Sequence, residues 1–76
     1  MHKVGTLLYM TSEMRKRFAD WYPEGTRFAV VATPVQEEAQ SAWSVTTGQR
    51  LWIAERKQYE FWELSDLRKY WTTKEP

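Results

Sequence analysis

The stretch Ser41-Ala42-Trp43-Ser44-Val45-Thr46-Thr47-Gly48-Gln49-Arg50-Leu51-Trp52-Ile53-Ala54-Glu55 decides the fold. Aromatic and β-branched residues on both sides of a lone glycine predict two strands, 41–47 and 49–55, joined as a hairpin. Side chains alternate between faces along a strand, so the loop length fixes which residues share a face. A two-residue loop, Gly48-Gln49, would set Val45 against Trp52 and Thr46 against Leu51, mixing apolar and polar groups on both faces. A three-residue loop, Thr46-Thr47-Gly48, puts glycine third, where a left-handed backbone is wanted. That register gathers Trp43, Val45, Leu51 and Ile53 on one face and leaves Ser44, Arg50 and Trp52 on the other. It is the preferred reading, and it assigns Trp43 to the core.

Working outward, Glu55-Arg56-Lys57-Gln58 is a polar turn without glycine, followed by a strand Tyr59-Glu60-Phe61-Trp62-Glu63. A second three-residue loop would set Ile53 against Phe61 and Trp52 against Trp62. Upstream, Arg27 to Thr33 is a continuous β-type run ended by Pro34, which reads as a central strand. Residues 35–40, with Glu37 and Glu38, are polar and read as a loop. Thr11 or Ser12 can cap a helix on which Met14, Phe18, Trp21 and Tyr22 share one face, with Pro23 as its stop. Residues 3–10 read as a strand. Ser65 caps a short helix, Asp66 to about Trp71, with Leu67, Tyr70 and Trp71 on one face, and residues 72–76 form a polar tail.

The order β-α-β-β-β-β-α makes this a small α+β domain with a mainly antiparallel sheet. An SH3-like curled barrel is the expected form, with one helix in the N-terminal half and a short C-terminal one. Connections after Thr33 are too short for a parallel crossover. Residues 1–76 are read as a single domain.

Composition explains how so short a chain folds. Leu, Ile, Val and Phe make only 14 of 76 residues, but five Trp and four Tyr supply large rings, and the net charge is +1. Low charge removes the main drive to disorder, and rings fill a small core efficiently. Without cysteine there is no disulfide, thiolate metal site or cysteine nucleophile. The chain has no apolar run of membrane-spanning length, and its first ten residues lack the pattern of a signal peptide. A cytoplasmic protein is expected, with no membrane association, metal or cofactor.

His2 is the one histidine, the three glycines are isolated, and Glu37-Glu38 point in different directions, so no catalytic or metal constellation emerges. A non-enzymatic module is therefore expected, an adaptor, regulator or inhibitor that binds a protein or a second copy of itself. The candidate binding residues are Trp52 and Trp62 as an aromatic pair, with Arg50, Glu60, Arg56 and Lys57 around it, the composition of an interface hot spot. The alternative is a small β-barrel that binds nucleic acid by stacking bases on Trp52 and Trp62 beside Arg50, although Glu55, Glu60 and Glu63 would repel phosphate. A metal-free ribonuclease built from Arg50, Arg56, Lys57, Tyr59 and Glu60 is the one enzyme class weighed.

Overall fold

The computed structural model describes residues 1–75, the side chain of Gln40 apart. It contains two short helices and a six-stranded antiparallel sheet. The strands are β1 (Leu7–Met10), β2 (Phe28–Val31), β3 (Gln36–Ser41), β4 (Ser44–Ile53), β5 (Gln58–Glu63) and β6 (Trp71–Thr72). The helices are α1 (Ser12–Phe18), extended by a 3-10 turn at Ala19–Trp21, and α2 (Leu64–Tyr70). The fold is thus the expected α+β class. Its sheet is not closed into the expected barrel, because β5 and β6 stand at opposite ends without pairing.

The central hairpin differs from the predicted one. Residues read as two strands around Gly48 form a single long strand, β4, and the residues read as a loop form its partner, β3. The turn lies at Ala42-Trp43, closed by a Ser41–Ser44 pair and a 3.0 Å hydroxyl contact. Gly48 sits inside the strand for a steric reason. A Cβ there would overlap the Trp62 carbonyl group and stand 2.9 Å from Cζ of Phe61. Glycine at this position admits a close neighbour rather than a turn. Trp43 is accordingly 95% exposed at the hairpin tip, and the core assignment of Trp43 and Val45 is overturned.

Strands β2 and β3 follow one another along the same edge of β4. Leu51 pairs with Val31 and Gly48 pairs with Gln36, so four residues on one strand oppose two on the other. This bulge holds Pro34, which could not donate to a regular ladder. Its backbone is tied down by Ala32 N–H donating to the Arg50 carbonyl at 2.8 Å and Arg50 N–H donating to Thr33 Oγ1 at 2.9 Å. Beyond the bulge, β3 and the first half of β4 project as an arm.

The β4–β5 turn also shifts register. It is a four-residue connection, a 3-10 turn at Ala54–Arg56 followed by Lys57 in the left-handed region (φ 52°). Ile53 therefore faces Gln58 and Trp52 faces Tyr59. The shift from the predicted pairing is an odd number of residues, which moves every β5 side chain to the other face. Trp52 and Trp62 lie on opposite faces, not side by side.

Both helices cover one face of the sheet. The core under them is Leu8 and Met10 of β1, Met14, Ala29 and Val31 of β2, Leu51 and Ile53 of β4, then Leu67, Tyr70 and Trp71. Thr11 caps α1 as expected, accepting from Met14 N–H at 3.2 Å, and its own hydroxyl donates to the Lys69 carbonyl, joining the two helices. α2 starts at Leu64, earlier than predicted, with Glu63 rather than Ser65 at its N-cap position. Trp71 and Thr72 leave that helix and pair with β1, so the start of the predicted tail is a strand. Pro76, the end of that tail, lies outside the described residues.

Candidate functional site

The register of β4 and β5 divides the predicted binding set between two faces. Glu60 and Trp62 share the helix-covered side with their partners Leu51 and Gln49, while Arg50 and Trp52 share the outer side with Phe61 and Tyr59. Arg56 and Lys57 occupy the turn between the strands. The residues weighed for phosphate chemistry are split in the same way, with Arg50 and Tyr59 across the sheet from Arg56 and Glu60.

On the outer face, alternation exposes what the core does not use. Leu8 and Met10 point inward, so Leu7 and Tyr9 point out; Ala29 and Val31 point inward, so Phe28 and Val30 point out. The pairings place Leu7 against Val30, Val30 against Trp52 and Trp52 against Tyr59. These four residues form one row across four strands, about 14 Å long at the usual strand spacing. Tyr9 and Phe28 make a neighbouring edge-to-face pair, with centroids 6.3 Å apart. The Trp52 and Tyr59 rings touch at 4.7 Å, and the Arg50 guanidinium stands 6.0 Å from the Phe61 ring. Neither helix lies over this face, and Tyr59 remains 59% exposed. Arg50 is held by Glu38 of β3 through a 2.6 Å ion pair.

Sequence reasoning found Trp52 and Arg50 but missed this row. Leu7-Leu8-Tyr9-Met10 and Phe28-Ala29-Val30-Val31 are continuous apolar runs, in which no polar alternation marks an uncovered face. In a two-layer fold one of those faces has no cover.

The opposite side holds a different arrangement, an open groove of about 600 Å³ along β5, lined in part by Phe18, Trp21, Tyr22, Glu60, Trp62 and Asp66. Glu60 organises it. Its Oε1 accepts from the Tyr22 hydroxyl at 2.6 Å and the Trp62 indole at 3.3 Å; its Oε2 accepts from Arg56 at 2.6 Å and Gln58 at 3.0 Å. The Arg56 guanidinium also covers the Tyr22 ring, 5.1 Å from its centroid. Burial, and then the bond to Glu60, raise the Tyr22 phenol well above its ordinary range, so it stays a neutral donor. Trp62 is packed on Phe18, Tyr70 and Trp71, under the helix layer and not free as a binding ring. Trp21, expected in the core, is 65% exposed, because the α-helical period that would turn it inward ends at Phe18 and the chain continues as a 3-10 turn.

No group of three or more His, Asp or Glu side chains among the described residues is placed to hold a metal ion. No helix among them is long and apolar enough to cross a membrane. Comparison with protein-family models, curated proteins and solved structures finds no match.

Proposed function

We propose that this protein is a non-enzymatic binding module that engages another protein through the outer, helix-free face of its sheet. The observation that carries this reading is the row Leu7–Val30–Trp52–Tyr59, continuous across four strands and uncovered. Scattered apolar residues are ordinary on a surface, whereas a contiguous aromatic row with a polar rim matches the composition of binding hot spots. The partner would present aliphatic or aromatic side chains to the row and polar groups to the Arg50–Glu38 pair at its edge. The ion pairs also support a protein over a nucleic acid. Arg50 and Arg56, the arginines nearest the predicted rings, are each satisfied by a carboxylate, so a phosphate would have to displace Glu38 or Glu60.

The test is capture with wild-type protein and with the Trp52→Ser/Tyr59→Ser double variant, each sample split and half treated with nuclease. The captured protein is then titrated in pure form. Binding is expected to weaken at least about tenfold in the variant, while stability falls by roughly 1–2 kcal/mol, as for half-exposed side chains. Capture lost to nuclease would transfer the reading to nucleic acid. Collapse of the fold would make the rings structural and end it.

A further inference from the structure

The groove along β5 already contains one bound guanidinium. Arg56 lies over the Tyr22 ring and ends on the Glu60 carboxylate, so ring face and carboxylate act on the same cation. The same groove holds a second ring and a second carboxylate, Trp21 and Asp66, which no salt bridge or cation–π contact among the described residues engages. Phe18 packs edge-to-face against Trp21 at 5.3 Å and against Trp62 at 6.1 Å, which leaves two indoles flanking a common ring. Asp66, on the first turn of α2, lines the same groove, and among the described residues it takes part in no salt bridge. Glu63 lies beside it at the end of β5, also without one among the described residues. With Arg56 cancelled by Glu60, the groove keeps the charge of Asp66 and Glu63 on a chain whose net charge is +1.

We infer that this groove receives an arginine side chain from a basic segment of a partner protein, stacked on Trp21 and paired with Asp66. Charge complementarity selects a cation, and the ring faces select a weakly hydrated, planar one. Guanidinium stacks on an indole and presents a fork of donors to a carboxylate, whereas an ammonium is a compact, strongly hydrated charge. The internal Arg56–Tyr22–Glu60 arrangement shows that the local geometry accommodates that stacking. Trp21 is the exposed member of the ring cluster, so it is the wall an incoming side chain meets first. The groove runs along the edge strand β5, where Phe61 of the outer face also lines it but Trp52 and Tyr59 do not, and this inference stands independently of the proposed function.

The experiment is a titration with three blocked peptides, Gly-Gly-X-Gly-Gly, where X is arginine, lysine or citrulline. It is followed by the indole N–H resonances of the five tryptophans. With arginine, the Trp21 and Trp62 signals are expected to shift saturably while those of Trp43 and Trp52 stay fixed. Citrulline keeps the shape and loses the charge, and lysine keeps the charge and loses the plane; each is expected to bind about tenfold or more weakly. Trp21→Ala and Asp66→Asn are each expected to weaken arginine binding several-fold. Trp52→Ser/Tyr59→Ser is expected to leave it unchanged, which separates this site from the outer face. Equal response to arginine and citrulline, equal response to arginine and lysine, or indifference to Trp21→Ala and Asp66→Asn would each overturn the assignment. Trp21 is exposed and Asp66 is half-buried without a salt bridge among the described residues, so both variants are expected to fold, and a retained, dispersed signal from Trp71, buried in the core, verifies it.

Discussion

Strand β4 passes through two environments in ten residues. Its second half, Gly48 to Ile53, is paired with β5 on one edge and with β2 or β3 on the other, and carries Gln49, Leu51 and Ile53 at zero exposure. Its first half, Ser44 to Thr47, is paired with β3 alone and has Val45 in solvent, next to the exposed turn residue Trp43. Both halves carry β-branched residues, Val45, Thr46 and Thr47 in the first and Ile53 in the second, and each has a tryptophan in it or next to it, Trp52 and Trp43. β-propensity therefore makes the strand throughout, while the second edge and the helix layer decide what is buried. Apolar character alone does not separate arm from body.

Three substitutions test that division, in decreasing order of effect. Gly48→Ala would drive a methyl group into the Trp62 carbonyl and the Phe61 ring at the point where arm meets body. A loss of about 3 kcal/mol or more is expected in urea denaturation, because the obstacle is backbone that cannot rotate away. Next comes Gln49, whose amide donates to the carbonyls of His2 and Thr33, both at 2.8 Å, and whose Oε1 accepts from His2 N–H at 3.0 Å. Gln49→Leu keeps the volume and orphans those groups. About 2 kcal/mol should be lost, with faster amide exchange in the segment before β1. Smallest is Trp43→Ser at the tip, expected to change stability by no more than about 0.5 kcal/mol. A buried tryptophan would cost roughly 3–5 kcal/mol on truncation to a small residue, so a large loss here would place Trp43 in a core after all.

The same contrast explains what could be read in advance. The α+β class, α1 with its Thr11 cap, and the burial of Met14, Leu51, Ile53, Leu67, Tyr70 and Trp71 follow from periodicity and local chemistry, and those were legible. Gly48 was not, because a turn glycine and a close-approach glycine look identical until the neighbouring strand is placed. Lys57 hid the second register, since a lysine gives no notice that it will take the conformation usually left to glycine. The Gly48 misreading moves a strand pair but leaves Val45, Leu51 and Ile53 on one face, whereas the second misreading changes the parity of a hairpin, and parity is what decides whether two rings meet. The binding pair Trp52–Trp62 was lost in this way, and the pair Trp52–Tyr59 took its place. Phe18, Trp21 and Tyr22 read as one helical face running to Pro23, but the α-helix ends at Phe18, Trp21 closes a 3-10 turn and Tyr22 is extended, so the α-helical period does not place the last two.

The bulge between β2 and β3 also bears on how such a chain can vary. It absorbs two surplus residues at the root of the arm and is pinned there by its own hydrogen bonds to Arg50 and Gln49. The ladder beyond it is thereby insulated in phase from the ladder behind it. Insertions or deletions made in matched pairs near Ala42 and Trp43 would lengthen or shorten the projection while every side chain of the body kept its face. The molecule is in this sense a fixed chassis with an adjustable probe, and reach is the property that sequence drift can tune most freely.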